Sequence, residues 1–586
     1  MNLVIRFLFI SLVLPLLGRS NPESGDPAST KEKGQPVGGI RIAWDYSSMQ
    51  KLAPVGSRKL HWVGYPRVRR LQDSSVMVVY ETGSKVEMVR SYDNGKTWHG
   101  PEVIFEQIKV SNEKGASTGV RMANPELVQL QNGDLVVACN YRPAKAEITS
   151  FAIAVKRSTD NGQTWSASQI IYEAEPRFSD GCWEPAFLQL PGGELQVYFA
   201  NEAPYTHSDE QEISMISSAD NGLTWTDEIK TVSFRENRRD GMPVPLLVND
   251  DILVTIEDNK IGQFKPYIVR TSVSENWSNP VLGISPKREF ALKDSLPEGI
   301  YAGAPYLMRV PSGEVVLSYQ TTSERTSNWE MSTLEVAIGD KKGRNFEKLT
   351  RPFDVPLERE AKWNSISLWD DNTIVAAATT SFRSPNCEVW IILGHIIPEL
   401  KVERKTVVVD GELSEWPEDF PVFIGSKSES NLTGSLAYDE QSLYFCAKVA
   451  DNKLIFNANE PGNSNDVIFY VDAGNKNFAE PDKSVFKIWC SYKGDLKFFE
   501  GNIGNWKEIP ADSLMAETWV AEKSGYQIEL AVPFSLLKKR DRSDIRVTMG
   551  LVEQKEEGLR YVEHIVHSVP ESSNTWLTVE FLELKN

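Results

Sequence analysis

The sequence predicts an all-β protein, with a six-bladed β-propeller over residues 42–398 and a β-sandwich over residues 402–586. Three observations predict it. A strand–turn–strand unit recurs six times at intervals of 58 to 62 residues, the period of a radial array of four-stranded sheets. A turn motif, S-x-D-x-G-x-x-W, recurs three times between those units. After His395 both repeats stop, while strand-like alternation continues towards the C terminus.

The chain begins with an export-type segment. Arg6 supplies a positive region, Phe7–Leu17 an apolar stretch, and Gly18–Ser20 lie near a cleavage point. That stretch falls short of the ~20 residues needed to cross a bilayer, no cysteine lies near the cut, and no later run is long enough to span. We therefore expect a signal peptide over 1–20 and a secreted or periplasmic protein. Residues 21–41, rich in Pro, Gly, Ser and Lys, read as a flexible leader.

At 586 residues the chain is too long for one ordinary core, and 41% hydrophobic with 25% charged residues is a globular composition. The net charge of -18, with no basic run, excludes nucleic acid as a partner. The five cysteines are widely spaced and odd in number, and the six histidines form no HxxxH or HExxH pair. No metal or cofactor is expected, and these patterns are silent on oligomeric state.

The organising unit is Asp180–Glu202, DGCWEPAFLQLPGGELQVYFANE. Ala186, Leu188 and Leu190 alternate before a Pro-Gly-Gly turn, and Leu195, Val197 and Phe199 after it, which is the hairpin pattern. Equivalent hairpins begin at Tyr65, Asn124, Met242, Ala304 and Asn364. A ring of hairpins brings unlike polar tips to one axial mouth. Glu184 opens one inner strand and Glu257, in VTIEDN, ends the matching hairpin one blade later. Two carboxylates at one mouth are the minimum for hydrolysing a glycosidic bond, one protonating the leaving oxygen and the other attacking or activating water. Tyr65, Arg67, Asn124, Trp183, Arg239, Tyr301 and Asn364 occupy similar places and are the candidate substrate-binding residues, with Glu81 and Glu202 in reserve for the pair.

The turn motifs SYDNGKTW (Ser91), STDNGQTW (Ser158) and SADNGLTW (Ser218) are the Asp boxes of sialidase-like propellers; SVSENW (Ser272) and GDKKGRNF (Gly339) look like decayed copies. They report fold, not reaction. DGCWEP at Asp180, RRDGMPV at Arg238 and IED at Ile256 resemble the family 93 glycoside hydrolases, exo-acting arabinanases on such a propeller. The resemblance implies a retaining two-glutamate mechanism, with Glu184 as acid/base and Glu257 as nucleophile or the reverse, and a carbohydrate substrate. In the second domain, VVVDGELSEW at Val407, YDEQSLY at Tyr438 and ELAVPF at Glu529 resemble a family 9 carbohydrate-binding module, which points to Trp576 as its stacking residue. Two other readings compete. An exo-sialidase would need an arginine triad and a tyrosine nucleophile, for which Tyr301 and Glu257 offer a Tyr–Glu pair. A non-catalytic glycan-binding adhesin would carry the same Asp boxes.

Overall fold

The computed structural model describes residues 37–582 apart from 61, 417–419, 426–429, 452–464, 476–479, 522–524, 540–542, 555–559 and 566–567. The expected signal peptide and most of the leader lie outside these residues. Among the described residues no helix is long and apolar enough to cross a membrane.

Six sheets, antiparallel apart from a short parallel pairing of Ser233 and Phe234 with Val281 and Leu282, make up the first region. Their innermost strands are Gly64–Arg70, Ser117–Gln129, Cys182–Gln189, Asp240–Val248, Ala302–Arg309 and Ala361–Asp370. Each of these contacts the next and the sixth contacts the first, so the strands close a ring. Closure joins the two ends of the region. Strand Val37–Ala53 pairs antiparallel with Glu388–Glu403 and completes the sixth sheet. Residues 37–41, placed by composition in the flexible leader, are therefore strand. They pair with residues 397–400, and composition does not register such a distant partner.

The Asp boxes are built alike. In the first, Asp93 accepts from the Thr97 amide (2.8 Å) and hydroxyl (2.6 Å), and Ser91 Oγ accepts from Gly95 N–H at 2.8 Å. Gly95 takes φ +82 and Asn94 φ +58, the left-handed pair such a turn requires. These turns lie at the far end of each sheet from the axial mouth: Ser91 pairs with Val76, whereas Glu81 at the mouth pairs with Val86.

The second region is a sandwich. One sheet runs Val422–Gly425, Asn431–Tyr438, Ser442–Ala450, Gly525–Pro533 and Met515–Ala521; the other is built on Asp466–Asp472, Val485–Ser491, Leu496–Asn502 and Ile545–Gln554. Phe445, Phe469, Phe486, Ile528 and Val547 are all 0% exposed in the core between them. The two regions are not joined by a loose linker. Strand Glu388–Glu403 belongs to the sixth sheet and its end, Glu399–Glu403, pairs in parallel with Thr578–Leu582 of the sandwich. Arg41 reinforces the seam by donating to Thr578 Oγ1 (2.8 Å) and to the Trp576 carbonyl (2.6 Å).

Trp576 does not serve as a sugar platform. It is 0% exposed, packed against Ile468, Tyr470 and Val485, with Nε1 donating to the Val569 carbonyl at 2.8 Å. The closing strand enters the core immediately after it, and a stacking face needs an open side.

Candidate active site

Every innermost strand carries the same irregularity. The ladder slips between Gly64 and Arg67, Ala123 and Glu126, Trp183 and Ala186, Gly241 and Val244, Gly303 and Tyr306, and Lys362 and Ser365. Within each slip one residue takes a left-handed φ near +50: Tyr65, Asn124, Glu184, Met242, Ala304 and Trp363. Such bulges re-aim side chains. The freed amide of the bulge residue is met by the neighbouring sheet. Thr379 Oγ1 accepts from Tyr65 N–H (3.2 Å), Glu81 from Asn124, Asn140 Oδ1 from Glu184 (2.9 Å), Glu257 Oε2 from Ala304 (2.8 Å) and Gln320 Oε1 from Trp363 (2.8 Å). The sixth acceptor position is Ala200, paired with Trp183 and lacking a polar side chain. Glu184 is thus a bulge residue aimed at the axis, and Glu257 is a latch residue with one oxygen committed to the next strand.

A cavity of about 1000 Å³ lies over these bulges. Its lining includes the acids Glu81, Glu184, Glu202 and Glu257 and the aromatic side chains Trp62, Tyr65, Trp329 and Trp363. Tyr65 stacks on Trp363 at 4.7 Å and 17°, while Trp329 keeps 43% of its surface exposed. Cations border the cavity. Arg142 lies 4.9 Å over Trp183, Arg239 binds Glu202 and Gln211, and Lys362 lies 4.9 Å over Trp329 while paired to Glu360 at 2.6 Å.

The carboxyls are poised high. Burial raises Glu184 to about 8, with the neighbouring charge of Glu257 adding to it and Arg142 opposing. Burial raises Glu257 to about 7, opposed by the Ala304 amide and Arg239, and raises Glu81 to about 7 against its bond from Asn124. Glu202 is also raised by burial, against its bonds from Trp183 and Arg239. Desolvation disfavours the charged carboxylate, and two acids on one cavity disfavour it further.

The sequence-predicted residues divide. Glu184, Glu257, Tyr65, Trp183 and Arg239 line the cavity. Trp183 lines it as a strut, with its Nε1 donating to Glu202 Oε2 at 2.7 Å and its ring covered by Arg142 and Phe178, so it offers no free stacking face. Arg67 does not line it: its guanidinium is buried on Glu126 at 2.9 Å and on the Pro66 and Asn364 carbonyls. Asn124 is 2% exposed beneath the floor. Tyr301 is buried behind Glu257, its hydroxyl accepting from Gln320 Nε2 at 2.9 Å, and burial holds its pKa well above the ordinary phenol value. Asn364 is buried against Ser318 and the Ala304 carbonyl, one residue past the bulge. The true sixth tip is Trp363. Proline follows the other five bulge residues but not this one, which is why the alignment slips by one. Arg142, Gln211, Trp329 and Lys362 were missed because they come from loops and strand ends with no repeat signature.

Glu257 sits in a slot made by two glycines. A Cβ on Gly241 would lie 3.1 Å from Glu257 Oε1, and one on Gly303 would lie closer than 3.0 Å to Glu257 Oε2 and 2.5 Å from the Tyr301 hydroxyl. Gly303→Ala is expected to displace the carboxylate and cost about 1–3 kcal/mol as overpacking. Thermal denaturation beside turnover checks it; a variant unchanged in both would mean that the slot is not needed.

A BNR repeat-like domain matches residues 69–251. No curated protein matches the chain by sequence. Among solved structures, a protein of unknown function from Dyadobacter fermentans is 16% identical, covering 61% of this chain and 100% of its own, at a TM-score of 0.46. A family 93 α-L-arabinofuranosidase of Fusarium graminearum in complex with arabinobiose is 16% identical over 59% of this chain and 98% of its own, at 0.43. A family 9 carbohydrate-binding module from Caldicellulosiruptor kristjanssonii in complex with cellotriose is 14% identical over 32% of this chain and 95% of its own, at 0.28.

Proposed function

We propose that this chain is a glycoside hydrolase in which Glu184 is the general acid/base and Glu257 the nucleophile, with a neutral arabinan-type glycan as the substrate. The observation that carries the reading is a pair of carboxyls, both raised by burial, in one cavity lined by acids and aromatic rings. The hydrogen bonds assign the roles. The Ala304 amide donates to Glu257 Oε2 and favours its carboxylate, which attacks the anomeric carbon. Glu184, raised by burial and by the neighbouring charge of Glu257, holds its proton and gives it to the departing glycosidic oxygen. Water, deprotonated by Glu184, then releases the sugar and restores both groups. Trp329, Trp363 and Tyr65 supply apolar faces against which a sugar ring can stack.

The pH profile follows. Activity rises as Glu257 loses its proton through about 7 and falls as Glu184 loses its own through about 8. The expected kcat/KM profile is a narrow bell between those values, each limb belonging to the coupled pair. A profile flat from pH 5 to 9 would remove these two groups from the chemistry.

A second reading, an exo-sialidase, is favoured by Arg121, Arg142 and Arg239 on the same cavity, which suit an anionic sugar. Incubation with debranched 1,5-arabinan and, separately, sialyllactose tests both. Short arabino-oligosaccharides support the first reading and free sialic acid replaces it with the second. Binding without any product from either points to an adhesin.

A further inference from the structure

Among the described residues, the outer face of the sandwich's first sheet is covered over only part of its width. Segment 405–416 lies across that part. Its Val407 and Trp416 pack on Tyr444, Cys446 and Ala531. Glu529, 0% exposed, holds it down by accepting from Trp416 Nε1 (2.6 Å) and from the amides of Asp410 (3.0 Å) and Gly411 (2.9 Å). Gly411 is required there. It takes φ +83, and a Cβ would lie 3.1 Å from the Thr518 carbonyl carbon. The segment therefore butts against the edge strand Met515–Ala521 at Trp519 and leaves a notch beyond.

In the notch three strands present one lateral row. Lys448 pairs with Gln527 and Gln527 pairs with Trp519, so the three side chains stand side by side on the same face. Trp519 is 49% exposed. The Lys448 ammonium and Gln527 amide enter no hydrogen bond or ion pair among the described residues. The opposite wall is Trp416 with the Glu412 carboxylate and Ser414 hydroxyl, and the cavity holds about 600 Å³, within the range of small-ligand sites.

We propose that this notch is a carbohydrate-binding site, separate from the propeller cavity, for a neutral sugar unit of a glycan chain. An exposed indole offers a flat apolar face to the C–H side of a pyranose or furanose ring. Around it the row and wall supply a cation, an anion, an amide and a hydroxyl. Such mixed donors and acceptors of no net sign match ring hydroxyls and suit neither a phosphate nor a strongly anionic sugar. The cost of leaving Trp519 half in water on an edge strand is explained if a ligand covers it. Trp576, 0% exposed, has no part in this site.

The test is affinity electrophoresis of the full-length protein in native gels containing debranched arabinan, arabinoxylan or mixed-linkage β-glucan. The readouts alongside it are melting temperature and turnover on a short soluble glycoside. Wild type is expected to be retarded by at least one of the three. Trp519→Ala should weaken that retardation at least tenfold in the polysaccharide concentration required, and Gln527→Ala several-fold. Melting temperature and turnover on the short glycoside should be unchanged, because neither residue approaches the propeller cavity. Retardation that persists undiminished in Trp519→Ala places the binding in the propeller and overturns the proposal. So does a wild type that migrates freely in all three gels. Neither result bears on Glu184 and Glu257, which are read from turnover.

Discussion

Glu184→Gln is expected to lower kcat by about 10²–10⁴-fold, the loss typical of a general acid, and at the same time to stabilise the protein at alkaline pH. The sign comes from the raised pKa. A carboxyl that titrates at about 8 when folded and at its ordinary 4.5 when exposed favours the fold fully only below 4.5, and that contribution is lost as pH rises through about 8. At pH 8.5 wild type holds a charge in a desolvated cavity beside Glu257, and the amide variant does not. Because Glu184 borders an open cavity, the gain is discounted to on the order of 1–2 kcal/mol. Calorimetry at pH 5 and pH 8.5 should show the two melting curves converging at the lower pH and Gln melting higher at the upper. Turnover within threefold of wild type would remove Glu184 from the reaction. A lower melting temperature at pH 8.5 would make it a structural anion. Glu257→Gln should also abolish turnover, with a smaller stability gain, because an amide oxygen accepts the Ala304 N–H less strongly than a carboxylate does.

Arg288→Leu should be the most destabilising single change near the site, by about 3–5 kcal/mol. Arg288 has a side chain 1% exposed and holds two carboxylates that are 0% exposed, Asp240 at 2.6 Å and Asp258 at 2.8 Å. Arg235 adds a second bond to Asp258 at 2.8 Å. Removing the guanidinium leaves Asp240, among the described residues, with only the Ser233 hydroxyl at 2.7 Å on its side chain, buried and facing another acid. Those two aspartates flank the site directly: Asp240 precedes Gly241 of the glycine slot and Asp258 follows Glu257. Turnover should therefore fall together with the unfolding midpoint in urea. Adding Asp240→Asn to Arg288→Leu should recover part of the loss, since one uncompensated charge is gone. A single variant less than 1 kcal/mol below wild type would mean that the triad relaxes into water.

The latch ring explains why Glu257 is hard to read from chemistry alone. In five of six sheets a polar side chain at that position binds the next bulge amide, and Glu81 does so without lying beside Glu184 in the pairing that raises its acid. A carboxylate there is thus a structural group first. Glu257 differs because one oxygen lies against Gly241 and the cavity while the other latches. Glu184, with only its backbone amide held among the described residues, by Asn140, is the freer of the two.

Much of this was legible in the residues. Hairpin alternation and the Asp boxes depend on nearest neighbours and on turn chemistry within eight residues, so the all-β propeller and the axial placing of Glu184, Glu257, Tyr65 and Arg239 could be read directly from the sequence. The change of pattern after His395 likewise marked a second β unit. What the sequence left undecided depends on partners far away along the chain. Arg67 looks like a ligand residue until Glu126, 59 residues on, claims its guanidinium. Trp576 looks like a platform until the sandwich closes over it, and Trp519 looks ordinary until Lys448 and Gln527 align beside it. The strand at 37–41 exists because residues 397–400 are there to pair with it. Local sequence sets strand, turn and period. Burial and the claim of one charged group on another are set only when the ring closes, and those decide which polar side chains remain free to meet a substrate.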